Sequence, residues 1–134
     1  MKPIDELHSL FLKCTETDCA YALIADATDA PNAFVSLHTR DGKYIAMSES
    51  VTDLLQYLPE DLIGNSAYDY FLALDFEAIM ASHAQVAVQA DVTTVSYGMR
   101  CKDGTYKCVT TQSKAVVNLK LSIHEILAFT YLQE

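Results

Sequence analysis

The sequence has no tryptophan, only four glycines and three prolines, and half as many basic residues as acidic ones. So few glycines leave no glycine-rich phosphate loop, and neither GxSxG nor HExxH occurs, which removes the common nucleophile-elbow and zinc-protease signatures. The four cysteines, Cys14, Cys19, Cys101 and Cys108, make no CxxC pair and fit no zinc-finger spacing, so no metal is expected. Met1-Lys2-Pro3 leads into Asp5-Glu6 rather than an apolar segment, so no secretory signal is expected and the thiols read as free. Nine Lys plus Arg against eighteen Asp plus Glu give a net charge of −9, the wrong sign for phosphate neutralisation, and exclude a nucleic-acid or membrane-surface role for this domain. The longest charge-free run of the second half, residues 78–90, falls short of a bilayer span.

What is present is enough for a core: 134 residues, 51% of them hydrophobic, fit one domain that buries roughly two-thirds of its unfolded surface. The charge is uneven. Residues 44–99 contain no Lys or Arg and carry −8, while residues 32–43 and 100–134 are nearly neutral. Paired carboxylates occur at Glu60-Asp61, but next to Pro59 they fit a solvated helix start better than an acid–base pair, so no enzyme is expected.

Ile4, Leu7, Leu10, Phe11 and Cys14 mark one face of an amphipathic helix over residues 3–14. Residues 19–25 are apolar throughout, and periodicity leaves them open between helix and strand. After the break at Pro31-Asn32, residues 33–39 and 43–47 flank Arg40-Asp41-Gly42 as a β-hairpin. Short helices follow, with Ser48 or Ser50 as one cap, Pro59 opening another and Gly64 closing it. Asp75 is expected to cap the longest helix, 76 to about 89. Strands over 92–101, 105–117 and about 125–132 complete an α+β domain: a five-stranded antiparallel sheet with its helices on one face.

The run from Phe34 through Arg40-Asp41-Gly42-Lys43-Tyr44, and the run from Leu54 through Tyr57-Leu58-Pro59-Glu60-Asp61-Leu62-Ile63-Gly64 to Tyr70-Phe71, resemble a PAS domain. They look most like the second PAS repeat (PAS-B) of basic helix-loop-helix PAS transcription factors of the hypoxia-inducible factor alpha and aryl hydrocarbon receptor nuclear translocator type. The resemblance divides the chain into an N-terminal flanking helix and connector (1–32) and a PAS domain (33–134). It implies a signalling and dimerisation module of a transcriptional regulator, intracellular and, in that setting, nuclear, with another PAS domain as homo- or heterodimer partner. The alternative is a stand-alone or effector-linked, cytoplasmic sensor of a small molecule, haem or redox state. Carried over by position, a cavity would be lined by Ser36, His38, Tyr44, Ala67, Phe71, Ser82, His83, Tyr97, Met99 and Thr111, a set of small polar groups among aromatics that suits water or a small organic ligand. No cofactor is expected: one helical histidine, His83, without a supporting arginine argues against haem.

Strand alternation then turns Val35, Leu37, Ile45 and Met47 outward, with Leu127, Phe129 and Tyr131 beside them on the last strand. Cys108 also falls on this face, and the resemblance implies that Gln112 stands at an interface position. Keeping Met99 and Thr111 both inside requires a three-residue loop with Gly104 left-handed, which puts Cys101 in and Cys108 out, unbridged. The apolar face has two readings. Either the helix carrying Ile4, Leu7 and Phe11 folds back over its own sheet, or helix and sheet together meet another PAS domain. The second is favoured, because the acidic helical side repels its like and leaves the sheet as the contact surface. The resemblance also implies departures: Leu37, Cys108 and Thr110 stand where the alpha subunits carry an Arg, a Trp and a Glu.

Overall fold

Two helices precede the sheet. The structure, a computed structural model, describes residues 3–88 and 92–133, with the side chains of residue 83 and residues 85–88 excepted. Helix α1 (Ile4–Lys13) begins behind Pro3, with Asp5 and Glu6 in its first turn and Lys13 in its last, the arrangement the helix dipole favours. The open stretch is helical: α2 (Thr17–Asp26) buries Thr17, Ala20, Leu23 and Ile24, a 3.6-residue stripe. The connector expected before residue 33 therefore holds a second helix.

Five strands follow, β1 (Ala33–His38), β2 (Tyr44–Met47), β3 (Thr93–Arg100), β4 (Tyr106–Asn118) and β5 (Ile123–Leu132), all paired antiparallel in the order β2-β1-β5-β4-β3. Between β2 and β3 lie α3 (Val51–Leu55), α4 (Pro59–Leu62), 3-10 turns at Ala67–Tyr70 and Ala73–Asp75, and α5 (Phe76–Val88). The expected end of that helix at residue 89 lies outside the described residues. The sheet separates two cores. One, on the α3–α5 side, includes Phe34, Leu54, Leu55, Leu62, Phe71, Ile79 and Met99. The other, on the α1–α2 side, includes Leu7, Phe11, Val35, Leu37, Leu127 and Phe129.

Three local features set which side chain faces which core. At the β3–β4 turn Arg100 faces Tyr106 and Gly104 has φ 91°, a three-residue loop with the left-handed glycine the alternation required. Cys101 is buried there and Cys108 exposed, and both are free.

At the β1–β2 hairpin the register shifts: His38 faces Tyr44, Leu37 faces Ala46 and Ser36 faces Met47, so Ile45 is an extra, bulged residue. This corrects the expectation for Met47. One inserted residue reverses the alternation beyond it, and Met47 joins the inner core while Ala46 takes the outer position.

Two expected caps make other bonds. Asp75 directly precedes α5, and its carboxylate accepts the Gly98 N–H (2.8 Å); a Cβ at Gly98 would lie 3.3 Å from the Leu72 side chain, so the glycine permits this close crossing. Ser50 precedes α3, but its hydroxyl lies 2.8 Å from that of Ser48, whose oxygen accepts the Val35 N–H.

Candidate functional site

The inward residues of the sheet close over a small chamber. Strand alternation aims Ser36 and His38 of β1, Tyr44 of β2, Val95 and Tyr97 of β3, Thr111 and Ser113 of β4, and Ala128 and Thr130 of β5 at it. Ala67, Phe71, Ile79 and Ser82 form the helical side. The enclosed volume is about 20 Å³, room for one water molecule.

The chamber is polar, and no Asp, Glu, Lys or Arg side chain lines it. The Tyr97 hydroxyl lies 2.7 Å from Thr111 Oγ1, which lies 2.8 Å from Thr130 Oγ1, so three adjacent strands are tied by one hydroxyl relay. Ser82 Oγ and Thr93 Oγ1 are 3.1 Å apart. The Phe71 and Tyr97 rings meet edge to face at 4.8 Å, and those of His38 and Tyr44 at 6.3 Å.

Burial pushes the Tyr97 phenol up to about 12, against the opposing hydrogen bonds from Thr111 and Thr130. Burial, with further contributions from Tyr97, Tyr70 and Tyr57, holds Tyr44 well above the ordinary phenol range. Both are neutral hydrogen-bonding groups at any physiological pH. Among the described residues no three His, Cys, Asp or Glu side chains come together as a metal site.

Of the cavity residues expected from the sequence, Ser36, His38, Tyr44, Ala67, Phe71, Ser82, Tyr97 and Thr111 line the chamber. Met99 does not. It faces inward and is fully buried, but it sits two residues beyond Tyr97, roughly 7 Å further along the strand, where it packs in the inner core. The side chain of His83 lies outside those described. Ser113, Ala128 and Thr130 were missed although alternation points to them: Ser113 is two residues from Thr111, and an outward Leu127, Phe129 and Tyr131 turn Ala128 and Thr130 inward.

The outer face differs more from expectation, because α1 and α2 cover it. Leu7, Phe11, Leu37 and Leu127 are wholly inaccessible and Val35 and Phe129 nearly so, while Ile4, Ile45 and Tyr131 pack partly against them. The Phe11 ring is 5.9 Å from that of Phe129, and His8 Nε2 lies 2.6 Å from Gln112 Oε1. Lys114 is buried on the same face and donates from Nζ to the Phe11 and Leu12 carbonyls at 3.3 and 2.8 Å, satisfying the last turn of α1. The reading in which this face meets another domain is therefore corrected. The apolar stripes of the chain's own helices match the apolar sheet, and burying Leu7 and Phe11 there gains about 2 kcal/mol each. Outward positions that stay open include Thr94 and Ser96 on β3, Tyr106 and Cys108 on β4, and Ile123 at the far end of β5.

Comparison with known proteins agrees with this architecture. Residues 44–128, well over half of the chain, match the family model described as PAS fold. Hypoxia-inducible factor 1-alpha of Gallus gallus is 38% identical over 89 residues, 66% of this chain and 11% of that protein. Protein cycle of Drosophila melanogaster is 36% identical over 86 residues, 63% of this chain and 21% of that protein. The chain thus spans only about a tenth to a fifth of the length of these curated relatives. The Drosophila Cycle PAS-B structure with bound ethylene glycol superposes with a TM-score of 0.69 at 30% identity, over 75% of this chain and 99% of that one. A tryptophan-to-alanine variant of it, with bound glycerol, gives the same values. The PAS domain of an HTR-like protein from Haloarcula marismortui shares the fold at 14% identity, with a TM-score of 0.68 over 87% of this chain.

Proposed function

The chain belongs to the PAS fold family, and from that premise we propose that it is a PAS-B-type signalling and protein–protein interaction domain of a transcriptional regulator, working inside the cell and in that setting in the nucleus. The observation that carries this reading is the likeness to Cycle PAS-B over nearly the whole of that domain. Its partner is another PAS domain, in the simplest case a second copy. The contact is the open strip of Thr94, Ser96, Tyr106 and Cys108, since α1 and α2 already cover the apolar outer positions Val35, Leu37, Leu127 and Phe129. None of the four is an Asp, Glu, Lys or Arg, so they offer a strip without formal charge on a strongly acidic molecule.

Equilibrium ultracentrifugation tests this. The wild type is expected to self-associate, and Ser96→Arg, which sets two like charges across a symmetric contact, to weaken the association about tenfold or more. Unchanged association in the variant would remove the strip from the interface, and a wild type monomeric throughout would remove the second copy as partner.

The chamber is the second part of the proposal. At about 20 Å³ it holds water at rest, and it admits an organic ligand no larger than a small polyol, and only if its walls give way. Ethylene glycol is expected to shift the amide resonances of Thr111 and Thr130 at millimolar concentration, and Ala128→Val, which adds bulk to the chamber wall, to abolish the shift. A shift that survives in Ala128→Val would place the binding elsewhere.

A further inference from the structure

Cys14 ends α1 and Cys19 lies in the first turn of α2, so the two thiols bracket the corner between the helices that cover the sheet. Cys14 is buried, Cys19 is exposed, and both are free. They line one groove of about 230 Å³ together with Leu10, Lys13, Leu23 and Asp26. The Cys14 thiol donates to the Glu16 carbonyl at 3.4 Å, on the short stretch that joins the two cysteines. Burial, and then the neighbouring Cys19, push the Cys14 thiol up, which keeps it protonated and leaves the solvent-facing Cys19 as the sulfur an oxidant meets first.

We propose that Cys14 and Cys19 form a hydroperoxide-responsive dithiol that closes to a disulfide across the α1–α2 corner. In the first step the Cys19 thiolate attacks an oxygen of hydrogen peroxide, the O–O bond breaks, Cys19 becomes a sulfenic acid, and the departing hydroxide takes up the proton that the thiol had given to solvent and leaves as water. In the second, the Cys14 sulfur displaces the sulfenic hydroxyl, which leaves with the Cys14 proton as a second water, and the S–S bond forms. Two thiols lose two electrons and the hydroperoxide gains them. Lys114 already pins the last turn of α1 to β4 through the Phe11 and Leu12 carbonyls. The disulfide adds a covalent tie at the same end, so that α1 leaves the sheet only together with α2.

Trypsin isolates the pair, because residues 14–40 form one peptide containing these two cysteines and no other. After the folded chain meets a small excess of hydrogen peroxide, that peptide is expected to be two hydrogens lighter. It should take up no iodoacetamide until a dithiol reductant is added, and two equivalents afterwards. Cys14→Ser should stop the reaction at a sulfenic acid on Cys19 that dimedone traps, and Cys19→Ser should leave Cys14 reduced. A peptide that still takes two equivalents directly after peroxide has oxidised Cys108, or one with sulfinic acid on Cys19 beside a reduced Cys14, overturns the proposal.

Discussion

Leu37→Glu is expected to cost about 4 kcal/mol of stability or more, because it strands an unpaired carboxylate between the sheet and its helical cover. Leu37 is wholly inaccessible, sits between Ala46 and Leu127 in the sheet, and belongs to the core that Leu7, Phe11, Leu23 and Ile24 complete. For a domain of this size such a loss lowers the thermal midpoint by about 10–15 °C. The introduced carboxyl, forced into apolar surroundings, has its folded pKa raised above the unfolded value of roughly 4.3. The penalty is thus smallest below that value and grows as pH rises through the folded pKa. Melting curves of wild type and variant at pH 4 and pH 7 check both points. If Leu37 instead faced a partner across an open surface, the variant would lose association while the monomer kept its midpoint, and a midpoint within about two degrees of wild type would refute the covered-face reading.

Most of this arrangement is legible in the sequence because a strand has a period of two. Once Thr111 faces in, Ser113 must as well, and once Phe129 faces out, Thr130 cannot. The Gly104 loop follows from the same rule, since only a three-residue connection keeps Met99 and Thr111 on one side. The rule fails where a residue is inserted without any mark. Nothing in Tyr44-Ile45-Ala46-Met47 distinguishes a bulge from a regular strand, so the inward turn of Met47 is invisible until the pairing is seen.

Alternation also says that the outer face is apolar without saying what covers it. One signal was available. Lys114 falls among those outward apolar residues, and a buried ammonium needs acceptors close by. The carbonyls at the end of α1 are such acceptors, which ties the face to the chain's own helix. A helical reading of residues 19–25 would have supplied the second half of the cover, but an apolar run that short looks alike as buried strand or helix.

Alkali is expected to unfold the domain between about pH 10 and pH 12, well before its arginines titrate. Tyr97 ionises at about 12 in the folded chain and near 10 when unfolded, and burial is the main cause. Its folded pKa is raised, so its contribution is complete below pH 10 and is lost as pH climbs toward 12, amounting to roughly 3 kcal/mol at the upper end. Tyr44, fully buried and displaced in the same direction, adds to the loss over the same range. Against a net stability of about 5–15 kcal/mol for a domain, two such phenols account for much of what holds the fold in base.

Tyr97→Phe separates the titration from the packing. It removes the hydroxyl that meets Thr111, costing about 1 kcal/mol at neutral pH, and leaves Thr111 its bond to Thr130. It also removes the ionisation. The variant should begin less stable than wild type and lose less between pH 10 and 12, so the two stability curves converge or cross; parallel curves across that range would show that Tyr97 does not carry the effect. The same burial that makes the chamber fail in strong base keeps its phenols neutral at physiological pH, where a bound water or polyol meets hydroxyl groups able both to donate and to accept.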